Sequence, residues 1–323
     1  MYSMTIPISR RLEFSEIPVV DLAPLVQGES HNPTIKSLEH GAREVGFFYI
    51  RNHGIDFDLV AKLHNQAILF FQQSMEEKKK ILIDHRIRGY LPLGYQSYEG
   101  ERREGTSYQE GFWIGHETPV NDVHLLEGPN QWLKHPPELK SIMESYFVAV
   151  ERVSRILQIA FAQALGLEPG FFDRMFDRPT SRLKLNHYPP QYAAKNENKI
   201  GVVPHSDSGA FTILWQDDHG GLEIQNKNGE WVGALPMPDT FVVNLGNIMQ
   251  YWSNGRFSST PHRVINRAGT DRYSIPLFVN PNHEVIIEPL VDLENKTFTP
   301  FVYGEYQREL WRRTFPVAKM RNI

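Results

Sequence analysis

Three residues of types that bind metal ions occur in two short segments of the C-terminal half. His205 and Asp207 are separated by one serine, and His262 lies within the β-prone stretch 260–264. Residues i and i+2 of a strand point to the same face of a sheet, so His205 and Asp207 can bind one ion, and His262 can reach it from an adjacent strand. Two imidazoles and one carboxylate form the facial triad of non-haem Fe(II) sites, which keep coordination positions open. The spacing therefore predicts a metal site in which these three residues are ligands and catalytic residues.

A second pair of polar residues could bind an anion close to such a metal. Arg272 and Ser274 also have i, i+2 spacing in a strand-like stretch, so both side chains can face one pocket. A guanidinium donates two parallel hydrogen bonds to a carboxylate, and the serine hydroxyl adds another donor. This pair predicts a site for the far carboxylate of a diacid. If the near end of that molecule is a 2-oxo acid that chelates the metal, one coordination position is left for O2.

The residues alone leave a second interpretation open. Two His and one Asp can also bind Zn(II), either in a hydrolase or in a jelly-roll protein that binds metal without oxidising anything. The familiar zinc-hydrolase pattern, two His one helical turn apart with a Glu base, does not occur in the sequence.

The composition narrows the functional classes. The 323 residues are 41% hydrophobic and 22% charged, as in ordinary folded enzymes. Lys and Arg number 34 against 38 acidic residues, so no broad positive field would attract nucleic acid or an anionic membrane. The absence of cysteine excludes disulfides, thiolate nucleophiles and cysteine-bound metals. Since residues 1–10 lack the apolar core of a signal peptide and no long apolar run occurs, we expect a soluble, cytoplasmic protein.

Hydrophobic periodicity predicts alternating strands and helices in the first half of the chain. Strands are expected at 16–22 and 47–50, and helices at 32–45, 59–70 and 137–165. Ser74 and Glu77 have the spacing of a capping box that begins a short charged turn. Residues 83–130 lack periodicity but contain scattered aromatic residues, which indicates a long functional loop rather than plain disorder.

Short β-rich runs separated by Gly, Asn and Pro fill the second half. They lie at 182–188, 210–215, 222–225, 231–235, 240–245, 262–266, 273–279 and 284–288. A turn at 226–229 predicts a hairpin between the third and fourth runs. This pattern favours a double-sheet architecture such as a jelly roll, with a final helix at 303–315 packed outside it. The predicted fold class is therefore α+β.

The motifs around these residues resemble those of a known family. Over most of its length the sequence is similar to the iron(II)/2-oxoglutarate-dependent oxygenases of the isopenicillin-N-synthase-like group. The N-terminal likeness lies in IPVVD (17–21), GFFY (46–49) and NHGI (52–55). The C-terminal likeness lies in NHYPP (186–190), HSD (205–207), GGLE (220–223), GN (246–247), STPHRV (259–264) and RYS (272–274). Their joint order and spacing make the likeness specific.

The resemblance implies a double-stranded β-helix, that is, a jelly-roll core flanked by helices, with Fe(II) bound by His205, Asp207 and His262. One compact unit is expected, with two parts. Residues 1–130 would form an N-terminal region of helices and strands with a substrate-loop segment. Residues 131–323 would contain the long helix, the catalytic jelly roll and the C-terminal helix.

The resemblance also implies 2-oxoglutarate as cosubstrate and O2 as oxidant. Arg272 and Ser274 would bind the 5-carboxylate of 2-oxoglutarate, with Tyr188 and Asn186 completing that site, and Phe278 would line the substrate pocket. Asn247 departs from the family, because many relatives have Asp there.

The implied reaction is the oxygenation of a small-molecule metabolite, by hydroxylation or desaturation, with release of succinate and CO2. An iron oxidase of the same fold that does not use 2-oxoglutarate is the alternative within the family. We expect residues 83–113, residues 188–203 and the C-terminal helix to form the wall or lid of the pocket.

Overall fold

Two facing β-sheets, with helices packed on the outer face of the larger one, make up the fold in this computed structural model. The structure describes residues 17–29, 32–95, 107–120, 126–190, 200–292, 294 and 298–315. The strands are β1 (Val19–Asp21), β2 (Phe47–Arg51), β3 (Gly89–Leu91), β4 (Glu110–Gly115), β5 (Arg182–Tyr188), β6 (Val202–His205), β7 (Phe211–Gln216), β8 (Leu222–Gln225), β9 (Trp231–Gly233), β10 (Phe241–Leu245), β11 (His262–Val264), β12 (Arg272–Val279), β13 (Ile286–Ile287) and β14 (Phe301–Val302). The helices are α1 (Ala23–Val26), α2 (Asn32–Glu44), α3 (Phe57–Phe71), α4 (Met75–Lys79), α5 (Leu139–Ala164), α6 (Asn247–Trp252) and α7 (Tyr303–Thr314).

The larger sheet contains eight described strands in the order β1-β2-β10-β7-β12-β5-β4-β3, and the smaller sheet has the order β6-β11-β8-β9. All pairs in both sheets are antiparallel except β1 with β2. Strands β2 and β4, from the first 130 residues, pair with β10 and β5 of the second half. The two halves of the chain therefore share one sheet.

The alternation of side chains along β2 shows how the larger sheet is packed on both faces. Phe47 and Tyr49 join an apolar cluster with Leu222, Ile224 and other residues of the smaller sheet. Their neighbours Phe48 and Ile50 belong to the main core, which also includes buried residues of the helices α2, α3 and α5. Because both faces are buried, β2 is a continuous apolar run rather than an alternating one.

Most predicted elements are present, with bounds that differ by a few residues. Ser74 accepts a hydrogen bond from the backbone N–H of Glu77, so the predicted cap of α4 is confirmed. The predicted hairpin at 226–229 joins β8 and β9 as expected. Gly46 ends the turn after α2 with φ of +72°, and a Cβ at this position would lie 2.3 Å from the backbone oxygen of Ser258, so only glycine fits.

The prediction of one long irregular segment at 83–130 is wrong in part. Strands β3 and β4 lie inside it, and β4 pairs with β5 along its whole length. All six residues of β4 are buried, and two of them are glycines, so the strand shows neither alternation nor a β-branched run. Residues 96–106 and 121–125 lie outside the described part. The sequence analysis also did not predict the short strand β6 or the short helix α6.

None of the described helices combines the length and the apolar character that crossing a membrane requires.

Candidate active site

His205 and His262 lie opposite each other at one end of the smaller sheet. They are the last residue of β6 and the first of β11, and the antiparallel register pairs their Cα atoms. Their ring centroids are 4.3 Å apart. Oδ1 of Asp207 lies 3.6 Å from Nε2 of His205 and 3.7 Å from Nε2 of His262. The structure thus brings the three predicted ligands together, although Asp207 lies in the loop after β6 and not in a strand.

Backbone carbonyls orient both imidazoles. Nδ1 of His205 is 2.9 Å from the oxygen of Val203, and Nδ1 of His262 is 3.2 Å from the oxygen of Thr260. A carbonyl only accepts, so each Nδ1 carries a proton, and each Nε2 faces Asp207, where its lone pair can bind a metal ion once that nitrogen is unprotonated. A metal-binding histidine is oriented in the same way by a partner on its other ring nitrogen.

Two neutral donors fix the carboxylate of Asp207. Its Oδ2 accepts hydrogen bonds from Oγ1 of Thr212 at 2.5 Å and from Nδ2 of Asn244 at 2.7 Å, which leaves Oδ1 facing the two imidazoles. Burial acts to raise the pKa of Asp207, but the charge of His262 and the hydrogen bonds from His205 and Thr212 outweigh it, and the pKa lies well below its ordinary value. The carboxylate is therefore ionised, as a metal ligand must be.

This donor set fits a mononuclear Fe(II) ion. The three ligand atoms all lie within 4.8 Å of one another and comprise two imidazole nitrogens and one carboxylate oxygen. Such a set occupies one side of an octahedral ion and leaves the other side for exchangeable ligands.

Arg272 lies buried at the start of β12, and one of its three guanidinium nitrogens has no partner among the described residues. Its Nε donates to the backbone oxygen of Gly220, and its Nη2 donates to Oε1 of Gln216 at 3.1 Å. Its Nη1 is buried and has no hydrogen-bond partner within the described residues. A buried charged donor without a partner destabilises the fold, so Nη1 fits a site for an incoming carboxylate.

The other predicted cosubstrate residues lie beside Arg272 on paired strands. The register of β12 and β5 pairs Arg272 with Tyr188 and Ser274 with Asn186. The guanidinium carbon of Arg272 lies 4.8 Å from the centre of the Tyr188 ring. Nδ2 of Asn186 donates to Oγ of Ser274 at 3.2 Å, and the Tyr188 hydroxyl is 3.5 Å from the same atom. All four side chains line one cavity with the His–Asp–His cluster.

The cavity has a volume of about 220 Å³ and an aromatic wall at its other end. Phe278 of β12 stacks on Trp113 of β4 with ring centroids 5.4 Å apart, and Phe315 meets the edge of Trp113 at 6.1 Å. Trp311 of α7 also lines the cavity. Of the segments predicted to form the wall or lid, the C-terminal helix lines the cavity, whereas the described residues of 83–113 and 188–203 contribute only Gln109, Trp113, Tyr188 and Val202. Residues 96–106 of the first predicted segment and 191–199 of the second lie outside the described part.

Asn247 uses both ends of its amide at the edge of this cavity. Its Oδ1 accepts a hydrogen bond from Oγ of Ser259 at 2.8 Å, and its Nδ2 donates to the hydroxyl of Tyr306 at 3.2 Å. An ionised Asp at this position could accept from Ser259 but could not donate to Tyr306. The Asn247 amide thus links α6 to the C-terminal helix α7 through Tyr306.

Sequence reasoning missed two buried cations in the cavity, Arg182 and Lys184. A signal for them was present in β5, where the polar residues Arg182, Lys184, Asn186 and Tyr188 alternate with leucines and His187. That alternation places the first four on one face of the strand. Burial lowers the pKa of Lys184 to about 7.

A second group of potential metal-binding side chains, Asp217, Asp218 and His219, lies in the turn after β7. The Asp217 carboxylate accepts hydrogen bonds from the backbone N–H groups of Tyr273 and His219, and Asp218 is exposed. This group stabilises a turn and is not needed to explain any chemistry.

Two family models match the chain. The model of the 2OG-Fe(II) oxygenase superfamily matches residues 179–281, and a model described as the N-terminal region of non-haem dioxygenase in morphine synthesis matches residues 17–135. The first match covers the residues from β5 to β12 and includes every predicted site residue.

Similar proteins and structures agree with these matches. The chain is 33% identical over 320 residues to homoarginine-6-hydroxylase 2-ODD-C23 of Glycine max, covering 91% of this chain and 96% of that protein. It is 32% identical to the clavatol oxidase claD of Penicillium crustosum, covering 85% and 88%. Among solved structures, a full-length Neurospora crassa protein in complex with alpha-KG superposes with a TM-score of 0.82 at 28% identity, covering 92% of this chain and 95% of that one. These likenesses confirm the predicted fold class.

Proposed function

We propose, from the premise that this chain belongs to the 2OG-Fe(II) oxygenase superfamily, that His205, Asp207 and His262 bind its iron and that Arg272 anchors its 2-oxoglutarate. The protein is an enzyme of this class, with Fe(II), 2-oxoglutarate and O2 as its cofactor and cosubstrates and a small molecule as its substrate. The observation that supports the residue assignment best is the meeting of the His–Asp–His cluster and the unpartnered Nη1 of Arg272 in one cavity.

When bound, the ferrous ion and 2-oxoglutarate supply the oxidising chemistry, in which O2 is consumed and succinate and CO2 are released. The protein's part in the metal site is to hold two neutral imidazoles and one ionised carboxylate in fixed positions. The carbonyls of Val203 and Thr260 keep the protons of His205 and His262 on Nδ1. The two donors to Oδ2 of Asp207 keep that carboxylate from rotating.

The protein's part in cosubstrate binding is to offer buried hydrogen-bond donors to a carboxylate. Nη1 of Arg272 supplies a charged donor, and the hydroxyls of Ser274 and Tyr188 lie on the neighbouring strand positions. Asn186 donates to Ser274 and leaves the serine hydroxyl hydrogen to point at the ligand. Charge-assisted hydrogen bonds of this kind are about twice as strong as neutral ones.

The aromatic residues Trp113, Phe278, Trp311 and Phe315 give the other end of the cavity an apolar wall. A rigid apolar wall holds a substrate in place while one of its C–H bonds is oxidised. We assign Phe278 to substrate contact for this reason, and hydroxylation as the outcome, with desaturation as the other outcome open to the same site.

The alternatives are less well supported. A protein that uses iron without 2-oxoglutarate does not require the open, buried Nη1 of Arg272. A metal-binding jelly roll without oxidative activity is not favoured by any feature of the site. The division into 1–130 and 131–323 is part of the proposal and is supported by the separate matches of the two family models, while the shared sheet supports one compact unit. A cytoplasmic location is proposed from composition alone.

Succinate formation tests the assignment. Purified protein with Fe(II), 2-oxoglutarate and O2 should release succinate, at least slowly without substrate, and His205→Ala and Asp207→Ala should release none. His219→Ala, at a histidine outside the cavity, is the matched control and should keep the wild-type rate. Wild-type rates in His205→Ala, or succinate formation that does not need iron, would contradict the proposal.

A further inference from the structure

Lys184 places a positive charge in the substrate end of the cavity, and no acidic residue of the described part of the chain pairs with it. It lies in the middle of β5 and is 3% exposed. Among the residues that the structure describes, no carboxylate lies within ion-pair distance of its Nζ. Burial of a lysine without an acidic partner destabilises the folded state, and a bound ligand with a negative charge would remove this cost.

The neighbours of Lys184 hold its ammonium group at the cavity surface. The register pairs Lys184 with Trp113 of β4, and Nζ lies 4.9 Å from the centre of the Trp113 ring. The lysine stem crosses Gly111 so closely that a Cβ there would lie 2.5 Å from its Cε. The glycine makes room for the stem, and the indole face stabilises the cation.

Arg182, the other buried cation, has a different environment. Its guanidinium donates to the backbone oxygens of Thr180, Ser181 and Leu126. These three carbonyls hold Arg182 in the fold and leave only its buried Nε without a partner among the described residues, whereas Lys184 has no comparable partner there. Lys184 is therefore the more available cation for a ligand.

Lys184 is too far along the strand to bind the same carboxylate as Arg272. The proposed anchor of 2-oxoglutarate pairs with Tyr188, four residues from Lys184 on β5. Four residues of a strand span about 13 Å at ~3.3 Å per residue. Lys184 faces instead the aromatic wall formed by Trp113, Phe278, Trp311 and Phe315.

The charges of the described cavity residues point the same way. The cations are Arg182, Lys184 and Arg272, and Asp207 is the only carboxylate among the described residues of its lining. In the loaded enzyme, the ferrous ion and Arg272 balance Asp207 and the two carboxylates of 2-oxoglutarate. The charges of Arg182 and Lys184 are left over, and of these two Arg182 already donates to three backbone carbonyls, so the charge of Lys184 is the one left for the substrate.

We propose that Lys184 determines substrate specificity by binding the carboxylate of an organic acid whose apolar or aromatic body packs on the wall formed by Trp113, Phe278, Trp311 and Phe315. This inference rests on the proposed function, since it places the acid beside the iron site. It adds the chemical class of the substrate: a monocarboxylic acid rather than a neutral or cationic molecule.

Paired acids and amides test the proposal. The probes are benzoic, phenylacetic, 3-phenylpropanoic and 4-phenylbutanoic acid, each with its primary amide, titrated by calorimetry at pH 6.5 into enzyme loaded with Fe(II) and 2-oxoglutarate without O2. At least one acid should bind about tenfold or more tightly than its amide, as expected for a charge-assisted hydrogen bond. Equal binding of every acid and its amide, or no binding of any acid, would overturn the proposal.

Three variants link the preference to Lys184. Lys184→Met keeps the length of the side chain and should reduce the preference for the acid to less than about twofold, whereas Lys184→Arg should retain it. Lys62→Met, at an exposed lysine of α3, is the matched control and should bind like the wild type. A preference for the acid over its amide that persists in Lys184→Met would overturn the proposal.

A titration with 2-oxoglutarate separates this inference from the proposed function. If wild-type protein with Fe(II) does not bind 2-oxoglutarate, the proposed function fails. If it binds 2-oxoglutarate but does not distinguish acids from amides, only the role of Lys184 fails.

Discussion

Nδ2 of Asn244 lies 2.7 Å from Oδ2 of Asp207, so a side chain on β10 holds the carboxylate that β6 brings to the metal site. Thr212 of β7 donates to the same oxygen at 2.5 Å. The larger sheet thereby orients a ligand that belongs to the loop after the smaller sheet's first strand. This relationship makes the geometry of the metal site depend on the packing of the two sheets.

We expect Asn244→Ala and Thr212→Val each to weaken Fe(II) binding by roughly 10- to 100-fold, the usual cost of removing a partner from a metal ligand. The reason is that Asp207 can then rotate and turn Oδ1 away from the two imidazoles. The measurement is the dissociation constant for Fe(II), obtained by anaerobic competition with a chelator. Thr240→Val, at a hydroxyl that donates to the backbone of Met237, is the control. Unchanged iron affinity in both variants would mean that the hydrogen bonds do not hold the ligand.

A second prediction concerns Arg272. Two of its guanidinium nitrogens donate within the fold, and the third is proposed to bind the ligand. Arg272→Lys keeps the charge but replaces the planar guanidinium, whose separate nitrogens face Gly220, Gln216 and the proposed carboxylate, with one compact ammonium. We expect the dissociation constant for 2-oxoglutarate to rise by about 10-fold or more, measured by anaerobic equilibrium dialysis with Fe(II) present. Arg152→Lys, on the exposed face of α5, should not change it. Wild-type affinity in Arg272→Lys would show that the unpartnered Nη1 is not the anchor.

The extent to which the site could be predicted depends on whether its residues act locally. His205, Asp207 and the Arg272–Ser274 pair were found because short spacings within single segments place them together. Asn244 could not be found in this way, since it meets Asp207 only through the pairing of β10 with β7. Thr212 lies only five residues after Asp207, but it belongs to no motif whose spacing indicates a metal ligand or its partner. The fold itself was predictable where apolar runs are bounded by Gly or Pro. It was not predictable in β4, whose burial on both faces removes the alternating pattern that identifies a strand.

The burial of Lys184 is another feature that could not be predicted from the sequence. Its position on the polar face of β5 is visible in the sequence, but its burial and lack of an acidic partner within the described residues follow only from the way β4 and α7 cover that face.

Glu110 should contribute strongly to stability, because it is a buried acid at the centre of a polar cluster. Its carboxylate accepts hydrogen bonds from Lys78 at 2.8 Å and from Tyr90, and it lies 2.7 Å from Nδ1 of His187. Glu110→Gln would leave the buried ammonium of Lys78 without its counter-charge, at a cost of about 3–5 kcal/mol. Urea unfolding measures this free energy. Glu144→Gln, which removes an exposed ion pair with Lys140, should cost less than about 1 kcal/mol.

The same residue predicts part of the acid sensitivity. Burial acts to raise the pKa of Glu110, but the hydrogen bonds from His187, Lys78 and Tyr90 outweigh it, so the folded-state pKa lies below the ordinary 4.5. A lowered carboxyl pKa stabilises the fold above the unfolded-state pKa, and this contribution is lost as the pH falls below about 4.5. The difference in unfolding free energy between wild type and Glu110→Gln should therefore shrink from pH 5 to pH 3. A constant difference would assign the cost to packing and not to charge.

Lys184→Met should stabilise the protein, in contrast to most substitutions in an active site. Burial lowers the pKa of Lys184 from 10.5 to about 7, and each pKa unit corresponds to about 1.4 kcal/mol of preference for the neutral form. The charged groups that line the same cavity are Arg182, Arg272 and Asp207, and among these described residues none lies within ion-pair distance of Nζ. Below pH 7 the folded state carries the whole cost of the buried charge, because the unfolded lysine is protonated there without penalty. Between pH 7 and about 10.5 the folded lysine is neutral while the unfolded one still binds a proton, so the cost declines as the pH rises.

We therefore expect Lys184→Met to raise Tm by several degrees at pH 6 and by much less at pH 10, in scans of the protein without substrate. Lys62→Met should leave Tm unchanged at both values. A lower Tm for Lys184→Met at pH 6 would mean that the protein already pairs the lysine charge within the cavity. That charge would then not be available to bind a substrate carboxylate.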